Sequence, residues 1–262
     1  MHGIKESIKE MRNAYTLSFM FSGFGTVFNI LTILAGASIG VIAGNRLKES
    51  TRNLVMDVLG AVTLISAAGA ISYMWKKDLV SETPQGAPLL IVLGSLLIGG
   101  LIGSVLNLEG RLENLGVSLK QRLDRNGESP FVEGFVTASL IFVIGPLAIL
   151  GSISDGMGNG IEQLTLKSIL DFFAAMAFAA SLGWGVAASA IPVGIYQFAW
   201  TGVGFSAGEI LSGYQISAMT AVGGVLLLGI SLRLLKIKEM AIGNLLPALG
   251  LAPFIALLAA KL

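Results

Sequence analysis

Eight stretches of this chain run for about twenty residues almost without charge, roughly the length a helix needs to cross a bilayer core. They lie at about 25–44, 54–75, 88–106, 132–153, 212–232 and 242–260, with two more inside 168–203. That last stretch is too long for one span and is read as two helices broken near Gly183-Trp184-Gly185. The runs are continuous rather than alternating, which argues against a transmembrane β-barrel. Each backbone N–H and C=O must then be satisfied within a helix. Composition agrees: 54% of residues are hydrophobic and 13% charged, against about 25% charged in soluble domains. The expected fold is all-α: a polytopic transmembrane helical bundle of about eight spans, seven if 168–203 is one span. Broken helices and two interfacial amphipathic helices complete it.

The polar inventory narrows the chemistry. Seventeen Lys and Arg against sixteen Asp and Glu leave a net charge of +1, which argues against a nucleic-acid partner. There is no cysteine and a single histidine, His2. A thiolate nucleophile, a Cys or His metal cluster and a Ser-His-Asp triad therefore lack material. No enzyme activity, metal or cofactor is expected. The expected partners are the lipid bilayer and a small solute or ion, with self-association into a homo-oligomer left open.

Residues 1–22 read as an N-terminal amphipathic extension, with Ile4, Ile8, Met11 and Tyr15 on one face of a helix over 1–19 lying at the membrane surface. No cleavable signal peptide is evident. Residues 23–262 read as one transmembrane domain. Its first three spans fall in 23–107, a cytoplasmic amphipathic helix and linker in 108–130, and the remaining spans in 131–262. Leu108, Leu112, Leu115 and Leu119 mark that second amphipathic helix, ended by Asn126-Gly127. With eight spans, ten of the seventeen basic residues fall on one side, in the turns holding Arg46, Arg111 and Arg233. The positive-inside rule places those turns in the cytoplasm and both termini outside. Laying Gly36 on Gly223 also lays Arg46 on Arg233, which suggests a repeated hairpin.

Glycine is frequent, at 34 residues. Gly36, Gly40 and Gly44, then Gly99 and Gly103, then Gly223, Gly224 and Gly229 form stripes that let helix backbones approach closely. Polar residues inside spans are the better guide to function. The candidate substrate or ion path is Asn29, Asp171, Gln197 and Asn244. Lys167 and Asp171 are four residues apart, which puts them on one helix face as an ion pair, either interfacial or on the path. Gln197 could equally bond another helix, and Asn244 could cap the last span. Asp57 is expected near the interface in span two. Helix breaks with a gating role are expected at Gly145 and Pro146, and at Gly183, Gly185 and Pro192. The sequence GSISDGMGNG from Gly151 reads as an extracytoplasmic turn carrying Asp155.

Four segments carry a resemblance: GTVFNILTILAGASIG from Gly25, LIFVIGPLAILGSISDGM from Leu140, LKSILDFFAAMAFAASLGWGVAASAIP from Leu166, and AVGGVLLLGISLRLLKIKEMAIGNLLPAL from Ala221. From about Gly23 onward the chain resembles the YdfK/YqgA-like family of uncharacterised prokaryotic integral membrane proteins (domain of unknown function 554). The resemblance implies an all-helical protein of a bacterial or archaeal plasma membrane. It offers no catalytic residues to carry over. Two readings of function follow: a secondary transporter or channel for a small solute or ion, or a non-transporting scaffold, sensor or partner subunit. An intramembrane enzyme would require Asp57 and Asp171 to meet as a dyad.

Overall fold

A computed structural model describes residues 22–123, 130–207 and 211–262. The amphipathic helix expected over 1–19 and the Asn126-Gly127 stop lie outside them. Helix α1 (Phe24–Gly44) turns through a short basic loop into α2 (Glu49–Ile71). A 3-10 turn, Ser72–Trp75, and the short α3 (Lys77–Glu82) extend α2 at its far end. Next come α4 (Ala87–Val105), α5 (Leu108–Leu123), α6 (Phe131–Val143), α7 (Pro146–Gly156) and α8 (Glu162–Leu182). The one-turn α9 (Gly185–Ala188) leads into α10 (Ala190–Ala207). After α11 (Gly213–Leu234), a 3-10 turn, Ile242–Leu245, leads into α12 (Pro247–Ala259). No strand occurs among the described residues. Seven of the described helices, with α2–α3 and α9–α10 each taken as one, are long and apolar enough to cross a membrane, and the bent α6–α7 pair makes an eighth. The protein is a multi-pass membrane protein.

Glycine decides how these helices meet. A Cβ added at Gly36, Gly40 or Gly44 would strike the backbone carbonyl of Phe172, Met176 or Ala180 respectively. The register rises together, so α1 and α8 run parallel with their backbones in contact. Gly99 and Gly103 meet Ala248 and Asn244, so α4 and α12 run antiparallel. Gly60 meets Leu235 and Gly224 meets Ile71, so α2 and α11 do too. Side chains this small give dispersion contact without steric cost where lipid supplies no hydrophobic drive.

The fourth apolar run is two helices bent by 64°. Pro146 has no N–H, so the carbonyl of Phe142 receives no helical bond. Gly145 takes φ 144° and ψ 150°, a region open essentially to glycine alone. The start of α6 packs on α8's C-terminal end, with Gly134 against Leu182. The end of α7 lies at α1's N-terminus, where Asp155 Oδ2 accepts from Gly25 N at 3.0 Å. The pair therefore traverses the bundle. This corrects the reading of residues 151–160 as a loop: helix α7 continues to Gly156, and only the last four form a turn. A glycine-rich composition resembles a loop until neighbouring backbones pack against it, as Gly151 and Gly156 do against Leu164 and Thr201.

The core is densest around α6 and α11, with Phe131, Phe135, Phe142, Leu226 and Ile230 fully buried. Leu54, Val58, Val62 and Ile65 on α2 are exposed at helical spacing. Such a stripe would be a liability in water and is the expected surface toward lipid. The glycine contacts yield a direct expectation. Gly40→Val should destabilise the purified protein by about 1–3 kcal/mol through overpacking, lowering its unfolding temperature in detergent. Gly94→Ala, with nothing within 4 Å of the added Cβ, should leave it unchanged or raise it.

Candidate functional site

The basic turns define one end of the bundle. Near the other end, the parallel contact of α1 with α8 brings Asn29 to Asp171. Asn29 Nδ2 donates to Asp171 Oδ2 at 3.0 Å and toward Gln197 Oε1 at 3.4 Å. Lys167 Nζ donates to the same Asp171 Oδ2, closing an ion pair within α8. Lys167 also lies over the Phe142 ring, 5.8 Å from its centroid, within cation–π range. Phe142 stands just before the Gly145-Pro146 break. Three of the four sequence-nominated path residues, Asn29, Asp171 and Gln197, thus meet with Lys167 in one cluster.

These groups sit in the interior. Asn29 and Gln197 are 0% exposed, Lys167 6% and Asp171 7%. The geometry fixes the amides. An ionised carboxylate only accepts, so Asn29 must turn its NH2 to Asp171 and its Oδ1 away. Gln197 Oε1 then faces Asn29, and its Nε2 points elsewhere. Asn29 Oδ1 and Gln197 Nε2 are both buried without a partner. One helical turn along α1 and α10, Thr26 Oγ1 and Thr201 Oγ1 are also buried and unbonded. Leaving such atoms unpaired costs about 1–3 kcal/mol each.

Asp155 forms the outer limit of the cluster. Helix α1 opens on Gly23 with no side-chain cap and no acid in its first turn. The carboxylate of Asp155, 4% exposed, supplies the acceptor from α7. Its role escaped the sequence reading because the partner is 130 residues away. The uncapped start of α1 was the available signal. Thr26 and Thr201 were likewise missed, although they stand at helical spacing from Asn29 and Gln197.

Asn244 is placed elsewhere. It lies in the 3-10 turn before α12, and its Oδ1 accepts from Glu109 N at 2.9 Å. It thereby caps α5 rather than its own helix. The Glu109 carboxylate accepts from Gly243 N and from Arg233 Nη1 at 2.9 Å. Arg233 also reaches Glu239 at 3.2 Å. This second network ties α5, α11 and the turn before α12 at the basic end. A cavity of about 470 Å³ opens beside it, lined by Glu113, Glu133, Arg233, Lys236 and Glu239. Asp57 is exposed on α2, whereas Asp171 is buried and paired.

The second break also stands apart from the cluster. Gly183 takes φ 72° and ψ −154°, and Gly185 lies against the Phe131 carbonyl, at the end of α8 away from Lys167. Pro192, inside α10, is half-buried. An apolar groove of about 970 Å³ runs between α1, α9 and α10, lined by Ile30, Leu34, Phe131, Trp184 and Ile191 among others, and by none of the polar cluster.

The ion pair makes a measurable statement about stability. Removing one partner of a buried pair strands the other charge at about 3–5 kcal/mol, while apolar replacement of both is near neutral. Lys167→Met should therefore lower the unfolding temperature more than the Lys167→Met/Asp171→Leu double variant does. A double-mutant cycle with additive losses would show that the pair is not coupled.

Comparison with known proteins places this architecture. The family model described as "Protein of unknown function (DUF554)" matches residues 24–257. The chain is 30% identical to the "Uncharacterized membrane protein YdfK" of Bacillus subtilis over 236 residues, 88% of this chain and 95% of that protein. It is 31% identical to the "Uncharacterized protein YqgA" of Escherichia coli over 233 residues, 87% of this chain and 94% of that one. No solved structure matches it.

Proposed function

The chain belongs to the DUF554 family, and we propose that it is a secondary carrier or channel for a small solute or ion, not an enzyme. The observation that carries the reading is the set of buried, unbonded polar atoms around the Lys167–Asp171 pair. A network serving stability alone tends to be fully satisfied, since each unmet group is costly at low dielectric. A site that alternately holds and releases a ligand must keep such groups free. Asp171 would be the coupling carboxylate. Lys167 would compete for it, so that an arriving ligand exchanges one partner for another rather than neutralising a bare charge. Gly145-Pro146, beside Phe142, would supply the bend about which α6 and α7 move. Asn244 and the Glu109–Arg233 network would serve the basic end as a closure. The membrane would be a prokaryotic plasma membrane, with the basic turns in the cytoplasm.

One feature favours the alternative of a non-transporting scaffold or sensor: the 970 Å³ groove is apolar and none of the polar cluster lines it. Flux decides between the two. In proteoliposomes screened against alkali ions, amino acids, carboxylates and nucleosides, the wild-type chain should move at least one of them. Asp171→Asn should abolish that flux with the protein still inserted, and Asp57→Asn should leave it intact. No flux across the panel, or full flux in Asp171→Asn, would remove the carrier reading built on this cluster.

A further inference from the structure

Three buried charges share the end of the bundle where α1, α7 and α8 meet: Asp155, Lys167 and Asp171, at 4%, 6% and 7% exposure. With both carboxyls ionised, two acids against one base carry one net negative charge in a region of low dielectric, where unpaired charge is expensive. The N-terminus of α1 contributes about half a positive charge beside Asp155, and the remainder is unmet. Among the described residues the other buried acid, Glu109, lies at the opposite end and has Arg233 as its own partner.

The unbonded atoms between these charges are mostly oxygens. Thr26 Oγ1 and Asn29 Oδ1 stand three residues apart on α1, and Thr201 Oγ1 stands four beyond Gln197 on α10. Both spacings keep a pair on one helix face. The Asn29–Gln197 contact sets the two faces against each other. The Thr201 carbonyl lies against Gly156, the residue after Asp155, and Asp155 holds Gly25, next to Thr26. Thr26 Oγ1 bonds no helix carbonyl behind it. These oxygens therefore lie on helix faces that meet among the elements carrying Asp155 and Asp171, each without a hydrogen-bond partner.

We propose that Thr26, Asn29 and Thr201, between Asp155 and Asp171, form a binding site for one monovalent alkali cation. The charge deficit is at most one. Neutral oxygens with a neighbouring carboxylate are hard ligands, suited to hard cations rather than to soft transition metals. Among the described residues no group of three or more His, Cys, Asp or Glu gathers to hold a multivalent metal. Thr26 and Asn29 are closed to a water-sized sphere at 0% exposure, and a dehydrated sodium or lithium ion is smaller than that. The inference rests on reading the cluster as a carrier's site, and it names the coupling ion.

Binding is read without flux. The full-length protein in detergent is unfolded thermally in lithium, sodium, potassium or choline chloride at equal ionic strength. At least one alkali ion should raise the unfolding temperature above that in choline, by an equal step for each tenfold increase once binding saturates. Thr26→Val/Thr201→Val should erase the rise, and Thr26→Ser should keep it. If the double variant does not fold, Thr201→Val alone carries the same test. Equal temperatures in all four salts would overturn the site, as would a rise that survives loss of the hydroxyls. A clear rise in a protein that moves no solute or ion would keep the cation site and remove the carrier. Solute flux indifferent to alkali ions, with no rise, would do the opposite.

Discussion

In α1, the carbonyls of α8 occupy the space where side chains would be at positions 36, 40 and 44. Backbone-to-backbone contact of this kind leaves little freedom in the register or rotation of the two helices. Asn29 and Asp171 can bond because that register is held. The remaining elements are built around it. Helix α7 crosses to the start of α1 and delivers Asp155, and α10 presents Gln197 from another side. Loosening the α1–α8 contact would separate the amide from the carboxylate, leaving Asp171 with Lys167 on its own helix.

Absence of water in the bilayer explains a second feature. Helix ends and polar groups must find partners within the protein, and several find them far along the chain. Asp155 serves the start of α1, Asn244 the start of α5, and Glu109 the amide of Gly243. Ser231 Oγ donates to the carbonyl of Gly60 where α11 crosses α2. These long-range bonds tie distant helices of the bundle together. Against that background of exchange, Thr26 Oγ1, Asn29 Oδ1 and Thr201 Oγ1 are buried without a partner.

The legible part of the sequence was local. Span positions followed from the length of each apolar run, and the breaks at Gly145-Pro146 and Gly183 from residues that readily interrupt a helix. The Lys167–Asp171 pair followed from helical spacing, and Asn29 and Gln197 from being polar where polarity is expensive. Asp155, by contrast, read as a loop residue because glycine-rich composition looks alike in a turn and in a tightly packed helix. Glu109 read as one charge among many on an amphipathic helix. Only its contact with Gly243, Arg233 and Asn244 separates it from the rest.

Sequence by itself determined that this is a helical membrane protein, roughly where its spans lie, and which few polar residues the membrane must accommodate. Those follow from hydrophobic length and helical period, which are properties of neighbouring residues. Tertiary structure alone decided which of those polar residues share a site. It joined Asn29, Lys167, Asp171 and Gln197 at one end and assigned Asn244 to the network at the other. The reason is geometric: a side chain's partners depend on the rotation and register of its helix against others. Those are set by glycine contacts between segments more than a hundred residues apart.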